Sequence, residues 1–156
     1  MNLEYIDAIK TQRLIDDGMP ILMLSEDYYN ITFYVKIEIE NKEKLIIINK
    51  NNDGLNPVII FNNDRLYVGY GHSFDIIKWI EFNIDKQYEL DSILYNILLI
   101  FNMIVIISEL DVIFINFDGV IILKKSFNKI IIGYKIEVNG LLINLEDGQG
   151  YFINLK

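Results

Sequence analysis

Apolar residues along this chain come in short blocks, either alternating with polar ones or unbroken, and turn-forming pairs interrupt them. "ITFYVKIEIEN" alternates late in its run, and "KIEIENKEKLIIIN" reads as two strands about a turn at Asn41-Lys42. "DVIFINFDGVIILKK" reads as a hairpin whose Asp118-Gly119 supplies the positive φ that a tight turn needs. "YKIEVNGLLINLEDGQGYFINL" gives three more strands, with turns at Asn139-Gly140 and near Asp147-Gly148. "ILYNILLIFNMIVII", Ile93 to Ile107, is 15 residues long, short of the ~20 that a membrane-spanning helix requires. It contains Asn96 and Asn102 and is flanked by Glu89, Asp91, Glu109 and Asp111, so the pattern predicts two buried strands joined at Phe101-Asn102. The start of the chain reads differently. Tyr5, Ile6, Ile9 and Leu14 fall at helical spacing before Asp17-Gly18, which predicts a short N-terminal helix over residues 4–16. A strand pair turning at Asp17-Gly18 is the alternative.

Composition supports the same fold class. There are 32 isoleucines and one alanine; alanine is the best helix former, whereas β-branched side chains suit a pleated sheet. A hydrophobic content of 52% excludes a disordered chain, and 156 residues predict a single β domain spanning 1–156. The absence of cysteine excludes a disulfide scaffold, a thiolate zinc site and a cysteine nucleophile. "MNLEYIDAIK" has acids within its first seven residues and no apolar block, unlike a signal peptide, so a cytoplasmic setting is expected. The expectation is an all-β protein of more than ten antiparallel strands, arranged as a meander.

A repeat runs through the second half. "DRLYVGYGHS" from Asp64, "NMIVIISELD" from Asn102 and "NGLLINLEDG" from Asn139 each open with Asp or Asn and run through mostly apolar residues. Each then reaches Gly or an acid seven residues on, and the spacings are 38 and 37 residues. A near-constant period of this size is how propeller blades present themselves. "IISELDVIFINFDGVIILKK" resembles a blade of the quinoprotein-type or WD-type propeller families, which close with an Asp-Gly hairpin followed by an apolar strand. The Trp often found after that glycine is absent. "FDIIKWIEFN", with Trp79, matches as a strand of the preceding unit. The resemblance covers residues 56–156 and implies blade-like meanders, whether in a partial propeller, a curved sheet or a sandwich.

The alignment sets His72 beside Glu109, Glu146 and Asp147, on loops at one end of successive strands. A metal site there would use imidazole and carboxylates, and acid–base catalysis would pair His72 with Asp75. No further ligand or nucleophile accompanies either, so His72 is expected on a polar rim. The chain is expected to be no enzyme and to carry no metal or cofactor. Gly69-Tyr70-Gly71 precedes no helix pattern, which removes a phosphate-binding reading. Glu26-Asp27 and Asp16-Asp17 read as solvated turn acids. In the cluster Tyr28, Tyr29, Phe33 and Tyr34, Phe33 is expected in the core and tyrosines at a sheet edge. Tyr67 and Tyr70 are expected as aromatic anchors beside the rim, with at least one of Leu66 and Val68 in the core.

Charge narrows the partner. Fourteen basic against 22 acidic residues give −8, a sign that repels phosphate backbones and favours a basic protein. A small, acidic, cysteine-free sheet protein is similar in profile to the immunity proteins of bacterial polymorphic toxins, which implies a cognate toxin domain as partner. Two alternatives stand beside it: a subunit of a self-assembling (homo-oligomeric) β-protein, and a ligand-binding or enzymatic domain using the His72 rim.

Overall fold

The computed structural model describes residues 1–155, and the chain divides into two compact units, Met1–Tyr88 and Glu89 onward. Fifteen strands and one helix are present among the described residues, which is the all-β architecture that the pattern predicts.

In the first unit, β1 (Asn2–Ile6), α1 (Ala8–Asp16), β2 (Ile21–Ser25), β3 (Ile31–Ile39) and β4 (Lys42–Lys50) build a sheet of order β1-β3-β4-β2. It is not a meander, and β2 pairs parallel to β4. The helix begins later than expected. Tyr5 and Ile6 belong to β1, opposite Val35 and Tyr34, and Tyr5 packs edge-on against Phe33 at 6.1 Å. The Asp7 side chain then accepts the Lys10 N–H and caps the helix. Gly18, at φ +82°, ends it; the Gly18 and Met19 N–H groups donate to Ile15 and Leu14, a Schellman closure. The first hairpin turns on Glu40 and Asn41, both at positive φ, one residue before the expected Asn41-Lys42.

The second sheet of this unit is a meander of β5 (Val58–Asn62), β6 (Arg65–Tyr70), β7 (Ser73–Lys78) and β8 (Asn83–Glu89). Leu24, Val35, Ile37, Ile46 and Ile48 of the first sheet pack with Leu66, Val68, Tyr70 and Ile77 of this second one and with Trp79 in the turn after β7. The isoleucine-rich blocks are thereby taken out of water, the main favourable term in folding.

The second unit repeats the scheme. The strands β9 (Leu94–Ile100), β10 (Met103–Ser108), β11 (Asp111–Ile115) and β12 (Ile121–Ser126) form a four-stranded meander. The strands β13 (Ile131–Glu137), β14 (Gly140–Leu145) and β15 (Gly150–Asn154) form a three-stranded one. Val105, Ile107, Val112 and Phe114 pack with Ile131, Leu141, Ile143, Leu145 and Ile153. The "ILYNILLIFNMIVII" block is β9 and β10 joined at Phe101-Asn102, both at positive φ. Among the described residues no helix is long and apolar enough to cross a membrane.

One close approach fixes the last hairpin. A Cβ on Gly140 would lie 2.0 Å from the Ile153 carbonyl oxygen, a clash with backbone rather than with a yielding side chain. Gly148 meets nothing within 4 Å but sits at φ +83°. In thermal denaturation, Gly140→Ala should therefore cost about 2 kcal/mol or more by forcing β14 from β15, and Gly148→Ala only about 1 kcal/mol of backbone strain.

Candidate functional site

The sequence repeat has a structural meaning. Asp64, Asn102 and Asn139 each occupy the last turn position before the second strand of a meander: β6, β10 and β14. Asn63-Asp64 and Phe101-Asn102 have positive φ at both central positions, the backbone that asparagine and aspartate tolerate best and that matches strand twist. Asn41 does the same before β4, 23 residues ahead of Asp64 and outside the period that the sequence displays. Seven residues after each Asx of the repeat, the second strand has ended. Gly71-His72, Glu109-Leu110 and Glu146-Asp147 are the three loops leading into β7, β11 and β15.

In the second unit the backbone ties two of these loops together. The Ile131 N–H donates to the Glu109 carbonyl at 2.8 Å, and the Glu146 N–H donates to the Ile130 carbonyl at 2.9 Å. The Glu146 carboxylate accepts the Ile130 N–H at 3.4 Å, and the Asp147 carboxylate accepts the Gln149 N–H at 3.0 Å. Glu146 and Asp147 are exposed and Glu109 is half-buried. The same 130–131 segment borders a groove of about 440 Å³, where Asn96 Nδ2 donates to the Tyr134 hydroxyl at 2.6 Å.

In the first unit the loop is tied by an acid that sequence reasoning passed over. Glu26, just after β2, accepts the His72 N–H and the Asn51 N–H, each at 2.7 Å. Its own N–H donates to Asn49 at 3.0 Å. A Cβ on Gly71 would fall 2.3 Å from Glu26 Oε1, so glycine makes room for this clamp and also takes φ +50°. "SEDYYN" shows acids in a turn; nothing local shows that their acceptors serve loops 25 and 46 residues away. Tyr28 and Tyr29 of the same segment are 82% and 55% exposed, while Phe33 packs on the core as expected. The His72 side chain is exposed.

Tyr67 and Tyr70 correct the expectation. Both are 1% exposed and so present nothing to a partner. Tyr67 stacks on Phe74 with ring centroids 6.5 Å apart, and the Tyr70 hydroxyl donates to Asp75 Oδ2 at 2.8 Å. Leu66 and Val68 are buried as well. Strand alternation implied one exposed face on β6, but β6 lies second in its sheet and is buried on both.

Asp75 is therefore not a partner for His72 on the rim. It is fully buried, and its Oδ1 has no hydrogen-bond partner. Burial pushes its carboxyl up to about 6, against the pull of the Tyr70 hydroxyl and Gln87; burial likewise pushes the Tyr70 phenol up. Among the described residues no group of three His, Asp or Glu side chains gathers to hold a metal ion.

No protein-family model matches the chain, and no curated protein matches it. Solved structures do. The computationally designed Ika4 protein superposes with a TM-score of 0.59 at 9% identity, over 89% of this chain and 93% of Ika4. Hsv2 of Kluyveromyces marxianus superposes with a TM-score of 0.51 at 12% identity, over 85% of this chain and 46% of Hsv2. Hsv2 is a WD40 β-propeller protein. The fold is propeller-like. This chain spans about half the length of Hsv2, and at these identities the likeness concerns fold alone.

Two measurements separate the roles at this end of the first unit. His72→Ala should change the unfolding free energy by less than about 0.5 kcal/mol, whereas Glu26→Ala removes the acceptor of two loop N–H groups and should cost about 1 kcal/mol or more. The second concerns Asp75, whose folded-state pKa lies above its ordinary 3.8. Its neutral form is favoured by folding, so its contribution is full below about pH 4 and is lost as pH rises through about 6. Relative to Asp75→Asn, the parent should lose on the order of 2–3 kcal/mol between those limits; parallel pH–stability curves would contradict the raised pKa.

Proposed function

We propose that this protein is a binding module whose acidic loops receive a basic protein. Its specific form is a cytoplasmic immunity protein that neutralises a cognate bacterial toxin domain. The observation that carries the reading is the pair of loops bearing Glu109 and Glu146, which are joined through the backbone of residues 130–131. Acids held on a rigid support lose little conformational entropy when a partner arrives, and such preorganisation favours affinity. The net charge of −8 adds long-range attraction for a basic surface. Tyr67 and Tyr70 are buried and drop out of this reading, and Tyr28 and Tyr29 are exposed tyrosines of the first unit that a partner can reach. Tyrosine contributes large contact area with few rotatable bonds. The module binds rather than catalyses, and His72 serves as a polar rim residue.

Partner capture from the native cells followed by mass spectrometry should yield a basic protein, and a toxin gene beside this one would select the specific form. With that partner in hand, association should slow markedly as ionic strength rises, because charges on loops are screened beyond about 8–10 Å. Reversal of Glu109, Glu146 and Asp147 to lysine should lower the association rate at least tenfold at low salt. Reversal of Asp16 and Asp17, on α1 and its cap, should do far less. A rate indifferent to salt and to the triple reversal would refute the electrostatic mechanism.

A further inference from the structure

The sheet β13–β15 has three strands, and the meanders β5–β8 and β9–β12 have four each. In the sheets β5–β8 and β9–β12 a fourth strand lies beside the third, whereas β15, the third strand of its own sheet, is an edge. The ladder shows which of its backbone groups face outward. The Leu145 N–H donates to Gln149 and the Leu155 N–H to Asn139, and hydrogen-bonded pairs alternate along an antiparallel ladder. Tyr151 and Ile153 therefore direct their N–H and C=O groups at β14, and Gly150 and Phe152 turn theirs away from it. A row of this kind is a template for one more strand.

We propose that β15 of a second copy of this chain fills the fourth position, antiparallel about a two-fold axis at Phe152, to make one continuous six-stranded sheet. The register is self-complementary, as an isologous contact demands. The outward groups of Phe152 meet those of Phe152 in the second copy, and Tyr151 falls opposite Ile153. That aromatic–β-branched combination stands at a non-hydrogen-bonded position, where facing side chains are closest. Charge selects the occupant. "GYFIN" holds no ionised side chain, so no like charges face each other along the paired strands; Glu137, at the end of β13, is ion-paired with Lys135, and a basic protein finds no carboxylate on the strand itself. Exposed apolar surface adds to the contact: Phe152 is 47% and Val138 88% exposed, and with Leu142 they line a shallow groove on the same sheet. Two five-residue strands and this groove make a small interface, of the size class of weak, reversible contacts. The proposal stands apart from the basic-partner reading, because it uses the strand edge and not the acidic loops.

Sedimentation equilibrium over roughly a hundredfold range of protein concentration tests it. The parent should pass from monomer to dimer. Phe152→Pro removes the outward N–H and no bond to β14, a substitution that an edge strand tolerates, and should stay monomeric with an unchanged circular dichroism spectrum. Should that variant misfold, Phe152→Lys keeps the backbone, sets two like charges opposite each other at the axis and should weaken the dimer at least tenfold. Amide exchange at Gly150 and Phe152 should slow as the parent dimerises. A parent that is monomeric throughout, a dimer indifferent to the folded variant, or a dimer without protection at Gly150 and Phe152 would each overturn the proposal.

Discussion

Burial of inner strands on both faces governs the rest of this structure. Leu45 to Ile48 of β4, Leu66 to Tyr70 of β6 and Ile104 to Ser108 of β10 are buried without a break, so each strand is covered on both faces. A strand in that position has no solvent face on which to place a polar side chain. Its sequence must then be an unbroken apolar run, which is why isoleucine is so abundant and why its runs centre on these strands. In β14 the run is weaker. Leu141, Ile143 and Leu145 are buried while Leu142 is only half-buried, as befits a sheet with one covered face and an open edge.

Polar groups inside this apolar frame are answered locally. Asp111 accepts the Ser126 hydroxyl, and the Ser92 hydroxyl donates to Ser108 at 2.8 Å. Lys50 is paired with Asp53 and donates to the Leu55 carbonyl. Lys44 sits over the rings of Trp79 and Phe82 at 4.5 and 4.7 Å, and burial pushes its ammonium down, with the nearby Lys42 acting in the same direction. Among the described residues two carboxylates keep one oxygen without a partner, Asp53 at Oδ2 and Asp75 at Oδ1, and of these Asp75 has no cation beside it. Burial disfavours the charged form of Asp75, and it raises the pKa against the opposing hydrogen bonds from Tyr70 and Gln87.

The loops stand at the opposite extreme of exposure, yet they are not loose. Glu26 in the first unit and the 130–131 backbone in the second each hold loop residues by main-chain hydrogen bonds. A loop fixed in this way presents its side chains in a constant geometry, which is what recognition requires of it. Two glycines answer steric demands, one in such a loop and one in strand β14. Gly71 leaves room for a carboxylate, and Gly140 lets two strands approach.

The sequence by itself determined what local free energies control. Asx residues marked the turns before β6, β10 and β14, with positive φ at the first two, and apolar runs marked the strands between them, so the all-β class, the hairpins and the 37- to 38-residue period were legible. The tertiary structure decided everything that depends on distant partners. Tyr5 and Ile6 have helical spacing but join β1, because β3 offers a ladder and Phe33 a ring to pack against. Nothing in "ILMLS" announces that β2 runs parallel to β4. Tyr67 and Tyr70 look like rim tyrosines until β6 is seen to be buried on both faces, since a period of two does not say how many faces are covered. Glu26 resembles any turn acid, and only the fold brings Asn51 and His72 to it. Turn chemistry and alternation act within a few residues, whereas burial and strand choice are set by residues tens of positions away.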